Sequence, residues 1–339
     1  MKLNISQICE ITFGAVRIEE REDGIHFNRF TEEQEELYRN HSDAFYKKSL
    51  SSSGMKMHFK TNSETLFLKV EVSEGSSRDY FAFDLFVNGE MVDSLENFSN
   101  RELPLDYTKV VLPLGEYSKD FNLGTGEKEV CLYFPWSAMV VLKELVLDDD
   151  ALVLPLKPSR KMLVFGDSIT QGYDALHPSN KYITKLAELL DAAEYNKAIG
   201  GEIFFPALVA AKEDFQPDYI VVAYGCNDWY KCEKEVFDGN CKAFLRNMNE
   251  NYPDTPVFMI APIWRKAMHV KKPFGTFETV CISMREFAAS YPNVSVIDGI
   301  DFVPHDEAFF GDLVLHPNDK GFGHYYENLS KQVKALLDK

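Results

Sequence analysis

Residues 162–175 read "MLVFGDSITQGYDA", an apolar run that ends on Gly166-Asp167-Ser168. In an open parallel α/β sheet, ligands bind beyond the carboxyl ends of the strands. A serine placed there on a tight turn exposes its hydroxyl as a nucleophile requires. The same residues also suit a helix N-cap, where Ser and Asp accept from first-turn N–H groups. Three further stretches add groups of complementary type. "YNKAIGGEIF" (195–204) carries Asn196 and Gly200-Gly201, "VAYGCNDWY" (222–230) carries Gly225, Asn227 and Asp228, and "GDLVLHPNDKGF" (311–322) carries His316 before a proline. Each lies at or near an expected strand end, so all four can meet on one rim.

The elements that would position them fall into two regions. Residues 1 to about 150 read as β-structure. Leu66, Leu68, Val70 and Val72 alternate at period two, and Asn88-Gly89 sits between apolar runs as a two-residue hairpin turn. Strands are expected in 108–114, 129–136 and 139–149, a series that suggests an all-β sandwich or jelly roll. "LPLKPSRK" (154–161) reads as a linker. Beyond it, strands at 162–165, 219–224, 257–261 and 294–298 alternate with helices near 180–194, 232–250, 276–290 and 325–337. Continuous apolar strands with intervening helices indicate a parallel sheet covered on both faces. The expected organisation is a β-sandwich domain over 1–157 and an α/β domain over 158–339.

Composition narrows the functions. The formal net charge of -17 repels phosphate backbones and anionic lipid, which argues against nucleic-acid and membrane-surface partners. The N-terminal twenty residues lack the apolar core of a signal peptide, and no apolar stretch approaches a membrane span. Cys9, Cys131, Cys226, Cys232, Cys241 and Cys281 show neither a zinc nor a disulfide pattern. A cytoplasmic protein with reduced thiols is expected. No His/Asp/Glu group has metal-ligand spacing along the chain, so neither a metal nor another cofactor is expected.

Taken together, the four stretches resemble the SGNH/GDSL hydrolase superfamily over roughly residues 160–339. The resemblance implies a flavodoxin-like three-layer α/β/α fold and serine-based ester hydrolysis. It makes Ser168 the nucleophile, His316 the general base, and the Ser168 and Gly201 N–H groups with the Asn227 amide the oxyanion hole. The family aspartate precedes the histidine by three residues, a position held here by Leu313. Asp312, four residues before His316, is the candidate to orient the imidazole; Asp301, Asp306 or a backbone carbonyl could serve instead. Ala198 and Glu202 are lesser departures. Tyr173, Trp229, Trp264 and His177 neighbour the motif loops and are candidate substrate-lining residues.

A β-rich module ahead of such a domain is similar to certain carbohydrate esterases with a leading jelly roll. That likeness implies deacetylation of a sugar or oligosaccharide, with homo-oligomerisation through the module also open. A lysophospholipase or thioesterase of the same superfamily, and a catalytically idle glycan-binding protein, are the alternatives.

Overall fold

A computed structural model describes residues 1–338. Two antiparallel sheets pack face to face in the N-terminal region. One runs Thr12–Phe13, Lys56–Thr61, Lys128–Tyr133, Ala82–Val87, Glu90–Glu96, and the other runs Arg17–Arg21, Gly24–Asn28, Ala138–Leu147, Thr65–Glu74, Gly115–Asn122. Period two decides which residues enter the core. Leu66, Leu68, Val70 and Val72 point inward against Phe83, Leu85, Val130 and Leu132. Asn88 and Gly89 take φ 51° and 83°, the left-handed pair that a two-residue hairpin demands.

The β-only reading of this region is incomplete. Helices Ile5–Ile11, Glu32–His41 and Asp43–Ser49 interrupt it. Thr31 and Gln34 cap the second reciprocally, each side chain meeting the other's backbone N–H. The expected strand at 108–114 is absent. Asp106 instead accepts from Thr108 N–H and starts a single 3₁₀ turn, Tyr107–Lys109.

The parallel sheet has the order Ala192–Asn196, Arg160–Gly166, Tyr219–Ala223, Val257–Ile260, Val294–Ile297. Successive residues of its strands feed opposite cores. Met162 and Val164 join the cluster under helices Tyr182–Leu189 and Asp319–Leu337. Leu163 and Phe165 join the one under Lys234–Asn251 and Glu278–Ala288. This is the expected three-layer arrangement. The helix expected through 194 stops at Leu189, because the chain turns at Asp191 (φ 49°) and Ala192–Asn196 becomes an edge strand. The supposed linker is structured too: Leu154–Pro155 pairs with Lys56–Thr61, and Arg160 already belongs to a strand. The final helix starts early, at Asp319, where the Asn318 side chain accepts from Gly321 N–H.

Strand Arg160–Gly166 lies between the strand that follows it and Tyr219–Ala223, so the order reverses across it. The loops after these three strands therefore open on one crevice, where an α/β sheet of this kind binds ligands. Among the described residues, no helix is long and apolar enough to cross a membrane. The six cysteines are free.

Candidate active site

Asp167, not Ser168, caps the short helix Ser168–Gln171: its carboxylate accepts from Ile169 N–H at 3.0 Å. Ser168 is thereby fixed as the first helical residue, with Oγ 2.8 Å from His316 Nε2. On the other side of the ring, Nδ1 lies 2.7 Å from Asp312 Oδ2. With the proton on Nδ1, the imidazole donates to Asp312 and presents a bare Nε2 to the serine.

The four-residue spacing of Asp312 and His316 works because Leu313 adopts φ 58°, curling the loop back on itself. Asp312 Oδ1 accepts from the N–H groups of Val314, Leu315 and His316, which locks the curl. Burial opposes ionisation of Asp312. The hydrogen bond and charge of His316, with the Leu315 and Val314 N–H groups, outweigh it and hold the carboxyl well below its ordinary range. Asp301 lies instead beside His305, and Asp306 accepts from Ala308 N–H.

Among the described residues, two backbone donors of the motif loops are without partners: neither Ser168 N–H nor Gly201 N–H has an acceptor. Gly201 adopts φ 89°, a conformation that a side chain would strain. Its loop is tied to the nucleophile helix, since Gly200 N–H donates to Gln171 Oε1 at 2.7 Å and Asn196 Nδ2 to Thr170 O at 2.9 Å. Asn227, at the start of helix Cys226–Lys231, donates from Nδ2 to Glu202 O at 3.0 Å and more weakly to Asp167 Oδ2 at 3.4 Å. Beneath this rim, burial raises three carboxyls: Asp167 to about 6, Asp228 to about 7 and Glu202 to about 8. Asp228 accepts from Phe204 and Gly225 N–H, and Glu202 from the Tyr38 and Tyr224 hydroxyls.

The N-terminal region builds part of this site, which motif spacing could not reveal. Arg29 is buried and donates to four carbonyls: Ser51, Lys48, Asn196 and Ala198. It thus fastens the glycine loop to the segment after helix Asp43–Ser49. Arg29→Met leaves those carbonyls without their donor in a dry interface. It is expected to cost roughly 3–5 kcal/mol of stability, read from the urea unfolding midpoint.

Asp174 is a second carboxylate near the imidazole, its Oδ2 3.7 Å from His316 Nδ1. It is fully buried and accepts from Arg78 and Tyr80, both N-terminal residues. Asp174, Asp312 and His316 bring ligand-type atoms within 4.8 Å of one another, a convergence that linear spacing did not show. Asp312 is engaged by the imidazole, and Asp174 chiefly by Arg78 and Tyr80.

The four expected lining residues fare differently. Tyr173 is buried behind the imidazole, its ring 5.4 Å from that of His316, so it supports the base rather than walling a cleft. Trp229 is 0% exposed and donates to Gly275 O, making it a core residue; its helix turns the indole inward against Phe277. Trp264 is half-buried and stacks on His305 at 5.5 Å.

His177 contacts the β-sandwich, not Ser168 or His316. Its Nδ1 lies 2.7 Å from the fully buried Asp84, which also accepts from Ser179. Burial lowers the His177 pKa, but the hydrogen bond and charge of Asp84, with Asp319 and Glu96, lift it to about 9. The folded value exceeds the ordinary 6.5, so the pair contributes its full stability below about pH 6.5 and loses it as pH rises through 9. With the ring 24% exposed, the contribution is about 2–3 kcal/mol. Thermal melts from pH 6 to 10 should show that decline, and His177→Gln should flatten it.

Comparison with known proteins agrees with this architecture. A salicylyl-acyltransferase from a tetracycline biosynthetic pathway superposes with a TM-score of 0.77 at 19% identity, covering 96% of this chain and 94% of its own. A candidate GDSL-like lipase from Bacteroides ovatus gives 0.75 at 19%, covering 100% and 98%. An acetyl xylan esterase from Butyrivibrio proteoclasticus gives 0.65 at 14%, again covering 100% and 98%. No curated protein sequence matches. Residues 164–323, which span the Ser168, Gly201, Asn227 and His316 loops, match the GDSL-like lipase/acylhydrolase family. That match, over the residues that carry the site, supports carboxylic ester hydrolase activity.

Proposed function

We propose that the protein is a serine esterase that removes short acyl groups, acetyl foremost, from a carbohydrate or oligosaccharide, with Ser168, His316 and Asp312 as its triad. One observation carries this reading: Oγ, imidazole and carboxylate are linked at 2.8 and 2.7 Å beside two backbone N–H groups that lack acceptors.

In this reading Ser168 passes its proton to His316 Nε2 as Oγ attacks the ester carbon. The oxyanion takes hydrogen bonds from Ser168 N–H, Gly201 N–H and Asn227 Nδ2, whose long contact to Asp167 is the one exchanged. The imidazolium, steadied by Asp312, protonates the departing alkoxide. Water then attacks the acyl carbon as His316 takes its proton; the carbon–Oγ bond breaks, the imidazolium returns the proton to Oγ, and the acid leaves. The acetyl xylan esterase neighbour, also matched along its full length, supports a sugar ester over a lipid.

A panel of acetylated oligosaccharides and a series of acyl chain lengths test this reading. Acetate release from the former, with the series falling beyond about four carbons, is expected. A maximum at eight carbons or longer would overturn the substrate assignment.

A further inference from the structure

Gly201 has cations on its open face. A Cβ built on Gly201 would lie 3.4 Å from Lys231 Nζ, 3.8 Å from Lys48 Nζ and 3.8 Å from the Phe45 ring. Lys48 comes from helix Asp43–Ser49 of the N-terminal region, and Lys231 ends helix Cys226–Lys231, which carries Asn227. Lys48 Nζ donates to Gly200 O at 2.6 Å, and Lys231 Nζ donates to Gly201 O. Each ammonium has three donors and spends one there, so two on each remain for a ligand.

Acidic residues outnumber basic ones in this chain, 53 to 36. The net charge is -17, and the sequence neighbours of the two lysines are matched: Lys47 with Glu74, Lys234 with Asp238. The third nearby cation, Arg78, is occupied by Asp174. Among the described residues, Lys48 and Lys231 have no carboxylate partner at ion-pair distance. Glu202, the acid whose charge acts on Lys48, is buried and hydrogen-bonded by Tyr38 and Tyr224. Burial, and then repulsion from Lys231 and Arg78, lowers the Lys48 pKa. Two ammonium groups beside one glycine, neither with a carboxylate partner, are stabilised by an anion placed between them.

We propose that Lys48 and Lys231 bind an anionic group of the substrate, such as a carboxylate, next to the reacting ester, and so select charged esters over neutral ones. The proposal rests on the esterase reading above and narrows its substrate class. The Phe45 ring, with Lys48 Nζ 5.5 Å from its centroid, supplies an apolar floor for the carbons joining the two groups. The charge can sit on the acyl side, as in a dicarboxylic hemiester, or on the alcohol side, as in an acetylated uronic acid.

Two matched pairs of substrates separate these sources. Monoethyl succinate against ethyl 4-methylpentanoate probes the acyl side; acetylated methyl glucuronide against acetylated methyl glucoside probes the alcohol side. The measured quantity is the charged-to-neutral ratio of kcat/KM, read by acid release. The wild-type ratio is expected to exceed about 10 in one pair, and that pair identifies the source. Lys231→Met should cut that ratio about 3–10-fold, Lys48→Met likewise, and the double variant should bring it near one.

Because Lys48 also steadies Gly200, the ratio rather than the rate is decisive, and Lys231, on the exposed face, supplies the variant least able to disturb folding. Ratios at or below one in both pairs, or ratios untouched by both substitutions, overturn the proposal. If such ratios accompany neutral-ester turnover that still depends on Ser168, only the anion site falls. Turnover independent of Ser168 brings down the esterase reading itself.

Discussion

Ser168→Ala should fold as the wild type does and lose about 10⁵-fold or more of its kcat on p-nitrophenyl acetate. The substitution removes one oxygen from a residue that is 5% exposed and whose backbone already starts helix Ser168–Gln171. Its melting temperature should therefore move little. The catalytic loss is large because no second nucleophile is in place: His316 Nε2 meets only Ser168 Oγ among the described side chains. What survives is the oxyanion-binding contribution of Ser168 N–H, Gly201 N–H and Asn227, which the substitution leaves intact. Retention of wild-type turnover would defeat the assignment of Ser168.

Asp312→Asn should cost about 10³–10⁴-fold in kcat. The carboxylate Oδ2 accepts from His316 Nδ1 at 2.7 Å; an amide nitrogen in that place donates instead and drives the ring to the wrong tautomer. The Asn variant keeps a carbonyl oxygen for the Val314, Leu315 and His316 N–H groups, so the loop stays folded. Asp312→Ala loses those contacts as well, and should be measurably less stable besides being slow. A serine–histidine dyad, held by something other than Asp312, predicts near-normal rates for Asp312→Asn. Asp174, 3.7 Å from Nδ1, is the one other carboxylate beside that nitrogen among the described residues. Comparing Asp312→Asn with the Asp312→Asn, Asp174→Asn pair isolates its residual effect.

How much of this was legible in the sequence depends on the range of the interaction. Ser168, Gly201, Asn227 and His316 each close a local pattern at or near a strand end, and such patterns survive in one dimension. The parallel strands showed as apolar runs because both faces of each are covered. Asp312 was harder, since its reach to His316 depends on the left-handed backbone of Leu313, which no residue preference announces. Trp229 was misread for a related reason. Proximity to Asn227 in sequence says nothing of helix phase, and that phase buries the indole.

The helices at Glu32–His41 and Asp43–Ser49 escaped notice inside a β-rich stretch, and with them the contributions of Tyr38, Phe45 and Lys48. Arg29 and Arg78 were invisible for a different reason. Arg29 reaches the carbonyls of Asn196 and Ala198, and Arg78 reaches Asp174, each more than ninety residues away. Nothing local marks such a contact. The same long-range bonds explain why the β-rich region has to be present when the site is measured: it supplies Arg29, Lys48 and Arg78.

The mechanism depends most on an ester bond forming between substrate and Ser168. Wild-type protein quenched with acid during turnover of p-nitrophenyl acetate, digested and examined by mass spectrometry, tests that bond directly. An acetyl group on the peptide containing Ser168, lost on standing and absent from Ser168→Ala, is the predicted result. Acetyl on another residue that decays at the turnover rate, or full turnover by Ser168→Ala, would contradict it.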